Sequence, residues 1–272
     1  MSLTCKRIIE ELNKLAPEYL AEEWDNVGLM LGDMEQEVRR ILIALDAIPE
    51  VIKEAIEEKV DLIITHHPFI FKPIKHIRKD HVLGKSIYDL IQNNIALYSA
   101  HTNLDIAFGG TNDVLAQILE LENITVLSEL DLKSRNSEEK YGMGRIGTVK
   151  RSYTLDEFAR FVQGKLKLPN IRIVGESNHI INKVALTTGS GVSYLQDAVN
   201  KKADVFITGD VKFHDAQRAL QLGIALIDAG HYGTENIIVP ILKEYLEKLK
   251  EPEHSLEILT SKVNGEPFRI NI

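Results

Sequence analysis

Cysteine is almost missing from this sequence: Cys5 stands alone, so no disulfide can form within the chain. The fold must rest on its core, and a lone thiol fits a reducing compartment. Long hydrophobic runs are also missing; none approaches the roughly 20 residues of a membrane span. Residues 1–17 mix apolar and charged positions, which excludes a secretory h-region there. A cytoplasmic protein with no membrane partner is expected. Positive charge is in deficit, with 32 Lys and Arg against 40 Asp and Glu, a net charge of -8. That argues against nucleic acid as a partner, since such binding comes from neutralising phosphates. What remains is an ordinary globular composition, 44 % hydrophobic and 26 % charged. At 272 residues it is long enough for two α/β domains.

The pattern along the chain supports that class. Residues 1–17 read as an amphipathic helix with Ile8, Ile9, Leu12 and Leu15 on one face. Then strands at 40–47, 60–67 and 95–101 alternate with helices at 49–59, 82–94 and after Gly109–Gly110. Pro49 falls in the first turn of its helix. Such alternation implies parallel pairing through right-handed crossovers. Residues 128–141 are polar and charged and read as a linker or exposed loop. Beyond them come a strand at 142–149 and a helix at 154–166. Thr154 and Glu157 form a predicted capping box there. Strands at 170–175, 182–189, 203–210 and 224–231 follow, with helices at 193–202 and 214–223. A last helix runs from Thr234 toward Lys250, and Pro240 should kink it or make its first turn irregular.

Polar residues gather at strand ends. The run 60–65 ends in His66 and His67; 95–100 ends in His101 and reaches Asp105. The run 203–209 ends in Asp210, with His214 close behind, and 224–230 ends in His231 and reaches Glu235. In open parallel sheets ligands bind at the carboxyl ends of strands. Imidazole with carboxylate suits zinc, iron, manganese, cobalt or nickel. His231 and Glu235 are one helical turn apart. Two adjacent histidines are most economically read as serving two neighbouring ions, about 3.5–4 Å apart in such centres.

The segments EEWDNVGL, DLIITHHPFIF, SAHTNLD, GGTND, ADVFITGD and DAGHYGTE, in that order, resemble the Nif-three-like family, named for an NGG-one-interacting factor. Many of its members are labelled "GTP cyclohydrolase 1 type 2 homologue". The resemblance implies two α/β domains with mainly parallel sheets, a dinuclear metal site in the cleft between them, and a ring-shaped homohexamer. Approximate bounds are 1–127 plus 232–272 for the first, discontinuous domain and 128–231 for the second. By resemblance the ligands are His66, His67, Asp105, His231 and Glu235. His67 and Asp105 go to one ion, His66 and His231 to the other, and Glu235 bridges. Some relatives carry an inserted domain for which this chain has no room.

The expected function is that of a metal-dependent hydrolase using two divalent ions on a nucleotide, phosphoester or cyclic amide-like substrate. Ions of this kind supply a nucleophile from water at neutral pH and polarise the group attacked. A non-catalytic metal-binding adaptor or metal chaperone is the alternative. His101 is a candidate proton shuttle or substrate contact, or else a structural histidine; His214 reads as a surface residue. The turn at 187–195, with Gly189 and Gly191, offers either a phosphate cradle or a simple tight turn. The same two readings apply to 109–113. Asp25, Asn26 and Asp46 are cleft or turn candidates, and Trp24 is expected to pack.

Overall fold

A computed structural model describes residues 3–130, 140–250 and 255–269. In chain order the elements are α1 (Cys5–Leu15), β1 (Gly28–Leu31), β2 (Arg40–Ala44), α2 (Pro49–Glu57), β3 (Leu62–Thr65), α3 (Val82–Gln92), β4 (Ala96–Ser99) and α4 (Thr102–Ile106). Next come α5 (Thr111–Ile118), β5 (Glu122–Glu129), β6 (Gly142–Thr154), α6 (Leu155–Leu166), β7 (Arg172–Val174) and β8 (Ile180–Leu186). The chain continues with α7 (Leu195–Asn200), β9 (Val205–Thr208), α8 (Phe213–Leu222), β10 (Ala225–Asp228), α9 (His231–Glu235), α10 (Ile238–Glu247) and β11 (Glu257–Thr260). The chain is mixed α/β and divides into two units, Met1–Leu104 with Ile238–Gly265 and Asp105–Ile237 with Glu266–Ile272.

The first unit holds a five-stranded sheet in the order β1-β4-β3-β2-β11. Its pairs are parallel except β1 with β4. β3 and β4 are buried along their whole length, as expected when both faces of a parallel sheet are covered. Leu42, Ala44, Ile63 and Leu97 pack with Val51, Ile52 and Ala55 of α2 and Leu90 of α3. α10 covers β2 and β11 and meets α1.

The second unit holds a six-stranded mixed sheet in the order β5-β6-β8-β9-β10-β7. The pairs β8–β9 and β9–β10 are parallel; the outer ones are antiparallel. Side-chain alternation divides its core into two layers. Val184, Leu186, Val205, Ile207 and Ile227 pack with Phe158 and Val162 of α6 and Leu115 of α5. Ala185, Phe206 and Leu226 point the other way, to Leu195 and Ala198 of α7 and Ala219 of α8. β8, β9 and β10 thus carry apolar residues on both faces, which is why these runs read as continuous.

Several expectations change. β1, β5 and β11 are strands that the pattern did not announce. The expected linker at 128–141 lies mostly outside the described residues. Its ends belong to the second sheet: Ser128 and Glu129 are in β5, and Leu130 N–H donates to Tyr141 O at 2.8 Å. Beside the approximate bounds expected, the second unit runs from Asp105 to Ile237 and includes β5, which pairs with β6. The last helix is divided in two, α9 and α10, with Pro240 in the first turn of α10. A first-turn N–H has no intrahelical partner, so proline costs no bond there. The capping box of α6 forms as expected, with Glu157 N–H to Thr154 Oγ1 at 3.3 Å and Thr154 N–H to Glu157 Oε2 at 2.9 Å.

Candidate metal centre

Within the first unit, β3 ends at Thr65, so both histidines lie just past the strand. The parallel ladder nevertheless continues: His67 N–H donates to Leu45 O at 3.0 Å and Ala100 N–H to Thr65 O at 2.9 Å. That registers Asp46, His66, His67 and His101 at one edge of the sheet. The Nδ1 atoms are all engaged. His66 Nδ1 donates to Ala100 O at 2.8 Å, His67 Nδ1 meets Asp46 Oδ1 at 2.7 Å, and His101 Nδ1 meets Asp25 Oδ1 at 2.9 Å. A carbonyl or ionised carboxylate only accepts, so Nδ1 carries the proton and Nε2 is the nitrogen that could take a metal in each ring. The ligand atoms of the three rings lie within 4.8 Å of one another. Imidazoles backed by carboxylate or carbonyl are the outer-shell arrangement of metal-binding histidines.

Asp25 is fixed from behind. Its Oδ2 accepts from Thr102 N–H at 3.0 Å and Thr102 Oγ1 at 2.5 Å. Burial pushes the Asp25 carboxyl up, but the hydrogen bonds from His101 and Thr102 outweigh it and hold it down at about 2. Asp25 therefore faces His101 as a carboxylate. His101 is brought into the histidine cluster as a third ring.

Within the second unit, α9 sets His231 and Glu235 on one turn, His231 Nε2 lying 2.9 Å from Glu235 Oε2. His231 Nδ1 meets Asp210 Oδ2 at 2.7 Å. Asp210 sits just beyond β9 in the left-handed region, φ 55°, a conformation that costs energy for a residue with a Cβ and recurs at functional sites. Asp105, on α4, is 6 % exposed; its Oδ1 accepts from Thr111 Oγ1 and, at 3.4 Å, from Thr188 Oγ1. The adjoining Gly189 lies against the other carboxylate. A Cβ there would come within 1.9 Å of Glu235 Oε1 and 3.2 Å of His231 Nε2, and φ is +58°. One turn, Thr188–Gly189, thus borders Asp105 on one side and Glu235 on the other. Behind it, the buried Arg145 pairs with Asp113 and donates to the carbonyls of Ile106 and Ala107, fixing the chain that follows Asp105.

The turn at 187–195 is no phosphate cradle at its glycines. Gly189 N–H is taken by Thr234 Oγ1 and Gly191 N–H by Thr208 Oγ1, both at 2.9 Å. The segment 109–113 also spends its donors internally where they are seen: Gly109 N–H goes to Asp113 Oδ2 at 2.7 Å. His214 is exposed on α8 beside Gln217. Trp24 does not pack in the core but is 60 % exposed. Asp25, Asp46 and Asp210 were visible in the sequence as polar residues in turns or at strand ends. Their pairing with particular histidines was not.

A family model described as Duf34/NIF3 (NGG1p interacting factor 3) matches residues 3–267, and the chain belongs to that family. It is 38 % identical over 262 residues to a Clostridium perfringens protein called "GTP cyclohydrolase 1 type 2 homolog", covering 96 % of this chain and 97 % of the relative. A Clostridium acetobutylicum protein of the same name is 38 % identical over 270 residues, covering 99 % of both. The Bacillus subtilis homologue aligns over 367 residues at 29 % identity, so it carries sequence that this chain lacks. Among solved structures, a Bacillus cereus protein related to NIF3 superposes with a TM-score of 0.93 at 28 % identity, covering 99 % of each chain. Reduced HcgD from Methanocaldococcus jannaschii gives 0.80 at 35 % identity, covering 97 % of this chain and 99 % of that one. Among the described residues no helix is long and apolar enough to cross a membrane.

Proposed function

We propose that this protein is a metal-dependent hydrolase whose His66, His67, Asp105, His231 and Glu235 hold two divalent ions. The observation that carries the reading is the state of the histidines. His66, His67 and His231 each have Nδ1 bound by a carboxylate or a carbonyl, which gives Nε2 the ligating role. Gly189 lets the Glu235 carboxylate lie directly against the backbone, where a Cβ would clash with its Oε1. Imidazole and carboxylate donors fit zinc, iron, manganese, cobalt or nickel. When bound, such ions supply Lewis acidity and acidify a water. The chain's own residues orient the donors: Asp46, Asp25 and Asp210 fix ring tautomers, and Thr111 and Thr188 fix Asp105. His101 serves as proton carrier or substrate contact, its ring held in place by Asp25.

The substrate class is a nucleotide, phosphoester or cyclic amide. The name borne by the clostridial relatives supports a cyclohydrolase-type reaction. The family resemblance further supports a homohexamer, which light scattering of the purified chain checks. The deciding experiment is metal-reconstituted turnover on a panel of nucleotides, phosphoesters and cyclic amides. Turnover should require metal and vanish in the His67→Ala/Glu235→Ala variant. Metal-dependent turnover that survives in that variant contradicts the assignment. Stoichiometric metal release to an acceptor protein without turnover identifies a metal chaperone instead.

A further inference from the structure

The one tryptophan of the chain is set at the edge of the histidine cluster and not in the core. Trp24 is 60 % exposed and Phe71 is 46 % exposed. Their ring centroids are 5.9 Å apart in an edge-to-face pair, and Trp24 is 6.1 Å from the His101 ring. Isolated exposed aromatics need no explanation, but a pair of them abutting a candidate catalytic ring does.

Polar bonds fix the backbone that carries these rings. The turn carrying Trp24 is closed by Asp25 N–H to Glu22 O at 3.0 Å. Both flanks of that turn are tied to Thr102: Glu22 N–H donates to Thr102 Oγ1 at 3.0 Å, and Asp25 Oδ2 accepts from it. The loop of Phe71 is tied in turn, since Asn26 Nδ2 donates to Ile70 O at 2.5 Å. The indole face is therefore preorganised while remaining open to solvent, the condition under which a stacking contact loses least entropy on binding.

Glu22, Glu23 and Asp25 flank Trp24, but on the Phe71 side the charge is of the opposite sign to the chain as a whole. Directly after Phe71 come the exposed Lys72, Lys75, Arg78 and Lys79, in a protein of net charge -8. The segment's one acid, Asp80, is bound by Arg78 at 2.9 Å. An exposed indole face with Phe71 set edge-on beside it, followed by a basic segment, complements a planar ring that bears an anionic group. We propose that Trp24 and Phe71 are the stacking platform for the base of a nucleotide whose phosphate is drawn by the 72–79 segment. This narrows the substrate of the hydrolase reading above to the nucleotide class and rests on that reading for its catalytic meaning, though not for binding.

Because Trp24 is the sole tryptophan, red-edge excitation of its fluorescence reports the platform alone. The full-length protein is titrated with guanosine, adenosine and cytidine 5′-monophosphates, and with ribose 5-phosphate, which has the phosphate but no ring. Saturable quenching by the nucleotides and none by ribose 5-phosphate is expected. Phe71→Ala should weaken nucleotide binding about 5- to 150-fold, the range for loss of one base–aromatic stack. Trp24→Ala, read by calorimetry, should lose a similar factor, and Trp24→Phe should restore most of it. Ribose 5-phosphate binding as tightly as the nucleotides overturns the proposal. So does an absence of saturable binding by any nucleotide, or unchanged affinity in folded Trp24→Ala. If Trp24→Ala and Phe71→Ala alter the assembly mass but not nucleotide affinity, the patch is a contact between copies and the proposal falls. The metal-binding variant His67→Ala/Glu235→Ala should keep the quenching, so a wrong metal assignment and a wrong platform give different results.

Discussion

At the residue scale, acids stand behind the histidines of the candidate metal centre. Asp46, Asp25 and Asp210 each hold an imidazole by Nδ1, and each partner is far away in sequence: 21, 76 and 21 residues. The histidines, Asp105 and Glu235 were legible because they end apolar runs or sit one helical turn apart. Their supporting acids could be located but not paired, since pairing follows from strand register. Trp24 was misread for a simpler reason. Burial is the default for a large apolar ring, and only coordinates reveal an indole kept outside by a bonded turn. Because these acids hold the imidazoles by Nδ1, Asp46→Asn and Asp210→Asn should each lower metal affinity by about 10- to 100-fold while leaving thermal unfolding nearly unchanged. Competition against a chromogenic chelator measures this. An unchanged affinity in both variants would remove these acids from the account.

At the scale of elements, helices and buried parallel strands were readable, because a 3.6-residue period and unbroken apolar runs are strong signals. The three unannounced strands lie at or near sheet edges, where one face is wet. β5 is buried at only some positions, and β1 contains a register irregularity next to its antiparallel partner. A short, half-exposed strand carries little periodicity. The Thr188–Gly189 turn between β8 and α7 was visible as a glycine turn, but its partner, the Glu235 carboxylate, was not. It supplies a test: Gly189→Ala places a methyl 1.9 Å from Glu235 Oε1 and strains a positive φ. The variant should fold, lose roughly 1–3 kcal/mol from the strained position, and show reduced metal content. Full metal content in Gly189→Ala would show that the space beside Glu235 has no such role.

For the whole molecule, two α/β units were foreseeable from length and alternation, but their boundary was not. The polar composition of 128–141 looks like a linker, yet β5 and β6 on either side of it pair within one sheet. Composition reports exposure and does not report which sheet an exposed segment joins. The closing of the first unit by its returning C-terminal helix makes a further prediction. Glu11 of α1 is held by Lys14 and Lys248, each at 2.7 Å, and these hydrogen bonds, against a smaller burial effect, bring its carboxyl from 4.5 down to about 2. A depressed carboxyl adds stability that is complete above pH 4.5 and disappears as pH falls toward 2. Glu11→Gln should therefore unfold at a lower temperature than wild type at pH 7, and the gap should close on acidification to pH 3 and below. A gap that widens in acid would contradict this sign.

The central claim, that these five side chains bind metal, is tested most directly by elemental analysis of the full-length protein reconstituted without oxygen, with and without the His67→Ala/Glu235→Ala change. The account predicts about two divalent ions per chain in the wild type and almost none in the variant, at equal helicity. Equal metal content in the two proteins would contradict it.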